Sequence, residues 1–310
     1  MNPLLKIALY LLVVGLCAIF ISPAAYWFIH WLIDLGFTPL AFLENFPFHR
    51  YFSRTLQVSA IVLAPLLAWW LSIRTLTQLG LEKNPRRLKD LTLGLNSALI
   101  PLTILAIIYF VFAFYRFQNE PEFTKLFRIL GTAAVVACLE EFFFRGVLLG
   151  LAVRSFGKWK GALFSALIFA VVHFLRPARL PDSAPVDWGS GWSQLFSFTH
   201  GLPTLYLLSF GFASLLLSGL ILAWATLKTK SLYLPIGIHA AWVFGQQSLQ
   251  VIGKFTPSPK TAALPWVGPN LVSGAVPTGL LPLLALISTA CILFFCLRSR
   301  QNSPQASDEK

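Results

Sequence analysis

Apolar runs of eighteen or more residues recur along most of this chain, and each is long enough to cross a hydrocarbon core about 30 Å thick. A segment of that kind must satisfy its backbone polar groups internally, so the runs read as transmembrane helices. Charged residues make up only 12% of the 310 residues, against about a quarter in a typical soluble domain. An ordinary water-soluble globule is therefore excluded. The formal charge of +12 does not point to nucleic acid, because the Lys and Arg residues sit between the apolar segments, where they orient helices in the membrane.

Counting apolar windows between polar breaks gives an all-α, polytopic transmembrane helix bundle of about eight spans, near residues 4–29, 55–79, 91–114, 126–151, 160–175, 203–226, 231–251 and 278–297. The first of these reads as an uncleaved span rather than a signal peptide, since apolar and aromatic residues continue past Pro23 to Trp31. The connector Glu82 to Asp90 carries Lys83, Arg86, Arg87 and Lys89, the densest basic cluster, and is expected on the cytoplasmic side. Alternate connectors are then basic as well, with Arg154, Lys158 and Lys160, then Lys228 and Lys230, then Arg298 and Arg300. Both termini are expected in the cytoplasm, with the protein in the plasma (inner) membrane.

The connector Arg176 to Leu202, with Trp188, Trp192, Phe196 and Phe198, suits the membrane interface, where part of it is expected to lie flat or dip back in. A Pro-rich stretch follows from Gly253 to Pro277. No internal repeat of the transporter kind is visible. The economical reading is one membrane-embedded domain over 1–300 and a polar, disordered tail over 301–310. Cys17, Cys138, Cys291 and Cys296 lack zinc-site spacing and read as packing residues.

A carboxylate within a span costs at least a few kcal/mol, so Glu140 and Glu141, in Cys-Leu-Glu-Glu-Phe-Phe-Phe-Arg-Gly, call for an explanation. Glu141 and Arg145 are four residues apart, share a helix face and can pair. Glu140 points about 100 degrees away and has no partner on its own helix. An ion-pair knot locking two helices accounts for Glu141 with Arg145 but not for Glu140. His173 and His239 lie in the fifth and seventh spans; each taken alone reads equally as a neutral histidine bonded to a backbone carbonyl. Depth argues otherwise, since Glu140, His173 and His239 all fall about 10 to 20 Å from the cytoplasmic ends of their helices. A carboxylate and two imidazoles meeting in one cavity can activate a water and stabilise an oxyanion, which is the equipment for hydrolysing a carbonyl substrate.

Glu140, Glu141 and Arg145 as Glu-Glu-x-x-x-Arg, Phe169 and His173 as Phe-x-x-x-His, and His239 opening a third motif, in that order on successive spans, resemble the CPBP family of intramembrane proteases. This family comprises the CAAX prenyl proteases and bacteriocin-processing enzymes, also called the Abi family. The motif core covers residues 126–250. The resemblance implies that Glu140 and His173 hold and deprotonate the attacking water, that His239 stabilises the oxyanion, and that Glu141 and Arg145 shape the site. Glu140, His173 and His239 can ligate zinc or act without it, and a metal-free glutamic-type protease with no cofactor is the expectation. The implied partners are a membrane protein or peptide substrate and the lipid bilayer.

One departure stands out. The family's third motif continues to Asn or Asp one turn after the histidine, and this chain has Val243 there. Loss of an oxyanion donor costs about 100- to 1000-fold in rate. Gln246 returns to the face of His239 and is a candidate replacement donor; otherwise it and Gln247 simply mark the watery end of the span. Two other functions compete with an intramembrane endopeptidase. One is a catalytically weak relative acting as a bacteriocin-immunity or membrane-binding protein, and the other is a proton-coupled transporter using the same ionisable groups.

Overall fold

The computed structural model describes residues 3–174, 185–197, 205–256, 263, 265–268 and 278–302. Among them are ten α-helices: α1 Pro3–Asp34, α2 Phe48–Trp70, α3 Arg87–Val111, α4 Lys125–Glu141, α5 Leu149–Phe156, α6 Lys158–Val172, α7 Ser190–Phe196, α8 Leu205–Thr229, α9 Tyr233–Ile252 and α10 Leu280–Asn302. A π-helical stretch, Phe142–Leu148, joins α4 to α5 without a break. Two short strands, β1 Tyr115–Phe117 and β2 Gly253–Phe255, pair antiparallel. Among the described residues the fold is all-α apart from this pair, which the sequence reading left as connectors.

Among the described residues, five helices are long and apolar enough to cross a membrane: Leu5–Asp34, Phe48–Trp70, Arg87–Val111, Leu208–Thr229 and Leu280–Ser299. The chain is an integral membrane protein, and these five are the first, second, third, sixth and eighth of the expected spans. The second starts at Phe48 and stops at Trp70, before the polar segment that had been counted into it. Length and composition do not establish the other three as spans, for physical reasons that differ. The fourth is the joined α4, π stretch and α5, which carries Glu140, Glu141 and Arg145. The fifth, α6, has 15 residues. The seventh, α9, is diluted by His239, Gln246, Gln247 and Gln250. Gln301 and Asn302, assigned to the tail, extend α10, and 303–310 lie outside the described residues.

Contacts divide the chain into two compact units, Met1–Gln78 with Val171–Leu202, and Leu79–Ala170 with Pro203–Lys310. In the first, α1 packs on α2 and on the short α7. Ala18, Ile19 and Phe52 form the centre of that packing. Trp27 donates its indole N–H to the Val186 carbonyl at 3.2 Å, and Trp188 meets the Trp27 ring edge-on at 4.9 Å. The described part of the 176–202 connector is thus a helix held against α1. Residues 175–184 and 198–204 lie outside the described set.

In the second unit the helix that matters most is α9, which packs against α3 and α4. Gly94 of α3 and Gly237 of α9 permit this. A Cβ on Gly94 would lie 2.4 Å from the Leu234 carbonyl oxygen, and one on Gly237 would lie 2.3 Å from that of Leu91. Only two hydrogens in place of side chains let the backbones come this close. The contact fixes the height of α9 two residues before His239. Below it, Ala98, Leu222, Ala225, Leu234, Ile238, Ala241 and Leu293 form a buried apolar core contributed by α3, α8, α9 and α10. The β pair closes the other end of α3 and α9, with Tyr115 opposite Phe255.

Candidate active site

At the junction of α4 and the π stretch, Glu141 is 0% exposed and Arg145 1%. The expected i,i+4 pair is present, with Arg145 Nη1 donating to Glu141 Oε1 at 3.1 Å. The same Glu141 oxygen pairs with Nδ1 of His239 at 2.7 Å. This carboxylate therefore holds two cation-forming side chains from two helices. Because an ionised carboxylate only accepts, the hydrogen on this contact belongs to Nδ1, and the other ring nitrogen, Nε2, becomes the working edge.

Glu140 occupies that edge. Its Oε2 lies 3.8 Å from His239 Nε2, and its side chain is 28% exposed against 8% for His239. Glu140, which has no partner on its own helix, thus meets a histidine brought in by α9. His239 thus stands between two consecutive carboxylates, one on each nitrogen. At 3.8 Å the Glu140–Nε2 contact is too long for a direct hydrogen bond.

Arg145 is held from the other side by α6 and α8. Its guanidinium lies over the Phe169 ring at 4.2 Å and near the Phe144 ring at 5.7 Å, and Nη2 points at the Gly219 carbonyl at 3.5 Å. Phe169 in turn meets the His239 ring nearly perpendicular, at 83° and 6.1 Å. Phe169, named at the sequence level only as a motif residue, therefore bridges the guanidinium and the imidazole. Replacing Phe169 by Leu removes the cation–π contact and part of the ring volume. A stability loss of about 2–4 kcal/mol is expected, read as a lower Tm in detergent.

The π stretch is the second feature that sequence reasoning missed. Each π turn accommodates one more residue than an α turn, and such stretches recur at functional sites. Here it starts directly after Glu141 and carries Arg145, and Ser165 of α6 caps its Phe144 carbonyl at 3.2 Å. No residue pattern signals it. Glu141 Oε2 and Arg145 Nε are buried without a hydrogen bond among the described residues.

His173 follows the last residue of α6, is half-buried, and belongs to the first unit, whereas Glu140, Glu141, Arg145 and His239 belong to the second. Within the second unit the structure brings Glu140, Glu141, Arg145 and His239 together. Val243 is half-buried on α9. Gln246 is only 6% exposed, and its Oε1 accepts no hydrogen bond among the described residues. It does not mark a watery helix end. Among the described residues, no three His, Cys, Asp or Glu side chains form a metal-ligand group. All four cysteines are free, with Cys138 and Cys291 exposed rather than packed inside.

Glu141, Arg145 and His239 thus form a buried carboxylate–guanidinium–imidazole cluster inside an integral membrane protein. Residues 120–245 match the family model described as Type II CAAX prenyl endopeptidase Rce1-like. That segment contains all three motifs, from Glu140 to His239, and agrees with the resemblance to the CPBP intramembrane proteases. No curated protein and no solved structure matches the chain.

Proposed function

We propose that the protein is an intramembrane endopeptidase that hydrolyses a peptide bond of a membrane-associated protein or peptide, with Glu140 as the general base. The observation that carries this reading is the pair of consecutive carboxylates on opposite nitrogens of one buried imidazole, within the segment that matches a protease family. A structural ion pair needs Glu141 and Arg145. It has no use for a second, partly exposed carboxylate at Nε2.

In the proposed reaction a water between Glu140 and His239 Nε2 gives its proton to Glu140 as its oxygen attacks the scissile carbonyl carbon. The tetrahedral oxyanion takes a hydrogen bond from Nε2–H of His239 in its protonated form. Collapse breaks the C–N bond, and the proton held by Glu140 passes to the leaving amine. Glu141 keeps the imidazole in one orientation, and Arg145 balances the Glu141 charge. His173 enters through the resemblance alone, as the second residue holding the water. The substrate class follows from the setting: the scissile segment is carried by a lipid or helical anchor, as in the prenylated CAAX tails that the family description names. Eight helical passes forming one domain over 1–300, with both termini in the cytoplasm of a plasma-membrane protein, complete the proposal.

Val243 favours the second reading, a weak or inactive relative that binds a membrane partner. The two readings separate in one assay with purified protein and membrane-anchored peptides. The enzyme reading expects cleavage that survives a chelator, and Val243→Asn raising the rate by about 100-fold if an oxyanion donor is missing. Loss of cleavage on chelation would bring a metal into the site. No cleavage by either form would leave the binding reading.

A further inference from the structure

Outside the active site, the second unit has a cavity of about 230 Å³ lined by Asn84, Pro85, Arg86, Asp90, Lys228, Thr229 and Leu297. We propose that this cavity binds the headgroup of an anionic phospholipid, with the phosphate on Arg86 and Lys228 and a headgroup hydroxyl on Asp90. Position comes first in the argument. Three candidate spans terminate there, at Arg87, Thr229 and Ser299, so the cavity lies at a membrane–water boundary, at the height of lipid phosphates.

The charge is appropriate too. Arg86 and Lys228 are exposed cations against a single carboxylate, and Asp90 is 4% exposed at the first turn of α3. Basic pockets between helices at such a boundary are the recurrent setting for lipid headgroups. The wall is also built rather than incidental. Asn84 donates to Asp90 Oδ2 at 2.8 Å and to Ser231 Oγ at 3.1 Å, and its own Oδ1 accepts the Arg86 backbone N–H at 2.8 Å. The turn ahead of α3 is thereby tied to the turn between α8 and α9, and the Lys230–Glu82 ion pair at 2.7 Å makes the same connection. Leu297 of α10, 5% exposed, supplies an apolar side. The volume is below the roughly 300–1,000 Å³ that buries a whole drug-sized ligand, so it suits a headgroup whose acyl chains stay in the bilayer.

The test is native mass spectrometry of the full chain in neutral detergent with phosphatidylglycerol or phosphatidylcholine added, which removes the membrane's own surface charge. One phosphatidylglycerol is expected to be retained in preference to phosphatidylcholine and to raise the Tm. Arg86→Gln and Lys228→Gln are each expected to weaken retention about fivefold, and Lys89→Gln, outside the cavity on the same basic connector, to leave it unchanged. Both cavity substitutions are at exposed side chains, and an unshifted lipid-free Tm checks that the fold is kept. Equal retention of the two lipids, or equal loss from Lys89→Gln, would overturn the proposal. Displacement of the lipid by inorganic phosphate at the same concentration would make it a free-anion site and overturn it equally.

Discussion

Replacement of Glu140 by Gln is expected to lower kcat for cleavage of a membrane-anchored peptide by about 100- to 10,000-fold, the range general acid–base groups contribute, while the Tm stays close to that of the unaltered protein. The amide keeps the shape of the carboxylate, with an NH2 donor in place of one acceptor oxygen, but cannot take a proton from water. It sits where the side chain is 28% exposed, 3.8 Å from His239 Nε2, and the buried imidazole keeps Glu141 on its other nitrogen. The control is the neighbouring residue. Glu141→Gln acts at a fully buried carboxylate that holds both Arg145 and His239, and is expected to lower activity and stability together. A split of this kind, activity alone at 140 and both at 141, is what distinguishes a base from a scaffold.

The second large effect is on the fold. Arg145→Met removes the guanidinium and leaves Glu141, at 0% exposure, with His239 as its remaining charge-bearing partner. Breaking a buried pair from one side costs about 3–5 kcal/mol, and the aromatic contacts with Phe169 and Phe144 are lost with it. Thermal unfolding in detergent should show the drop. Because the cost comes from the uncompensated carboxylate, adding Glu141→Gln to Arg145→Met should restore part of it. Additive loss in the double variant would mean that Arg145 stabilises through packing and not through charge.

Local spacing made half of this site legible. Glu141 and Arg145 are neighbours on one helix face, and the i,i+4 rule finds such a pair wherever it occurs. The His239–Glu141 contact has no local signal, since the residues are brought together by the α3–α9 crossing at Gly94 and Gly237. Only the order of the motifs pointed toward it. Glu140 follows the same logic: a helical wheel shows what a residue's own helix offers and nothing of what a neighbour presents.

The long apolar helices were equally legible, because the bilayer imposes one length on all of them. Elements of mixed character were harder to place. α6 is short and α9 carries glutamines, so composition alone does not establish either as a span. The π stretch and the β1–β2 pair depend on packing between segments far apart in the chain, and neither follows a residue pattern. Asp90 ends the basic connector in the sequence, and the first turn of α3 buries it beside Asn84.

The central claim is that this chain hydrolyses peptide bonds with a water activated at Glu140. The most direct measurement is mass spectrometry of a membrane-anchored peptide panel after incubation with the purified protein in liposomes, in water labelled with heavy oxygen, beside Glu140→Gln. The account predicts paired fragments from at least one peptide, with one heavy oxygen in the new carboxyl group, and no such fragments from the variant. Intact peptides throughout, or fragments formed equally fast by Glu140→Gln, would contradict it.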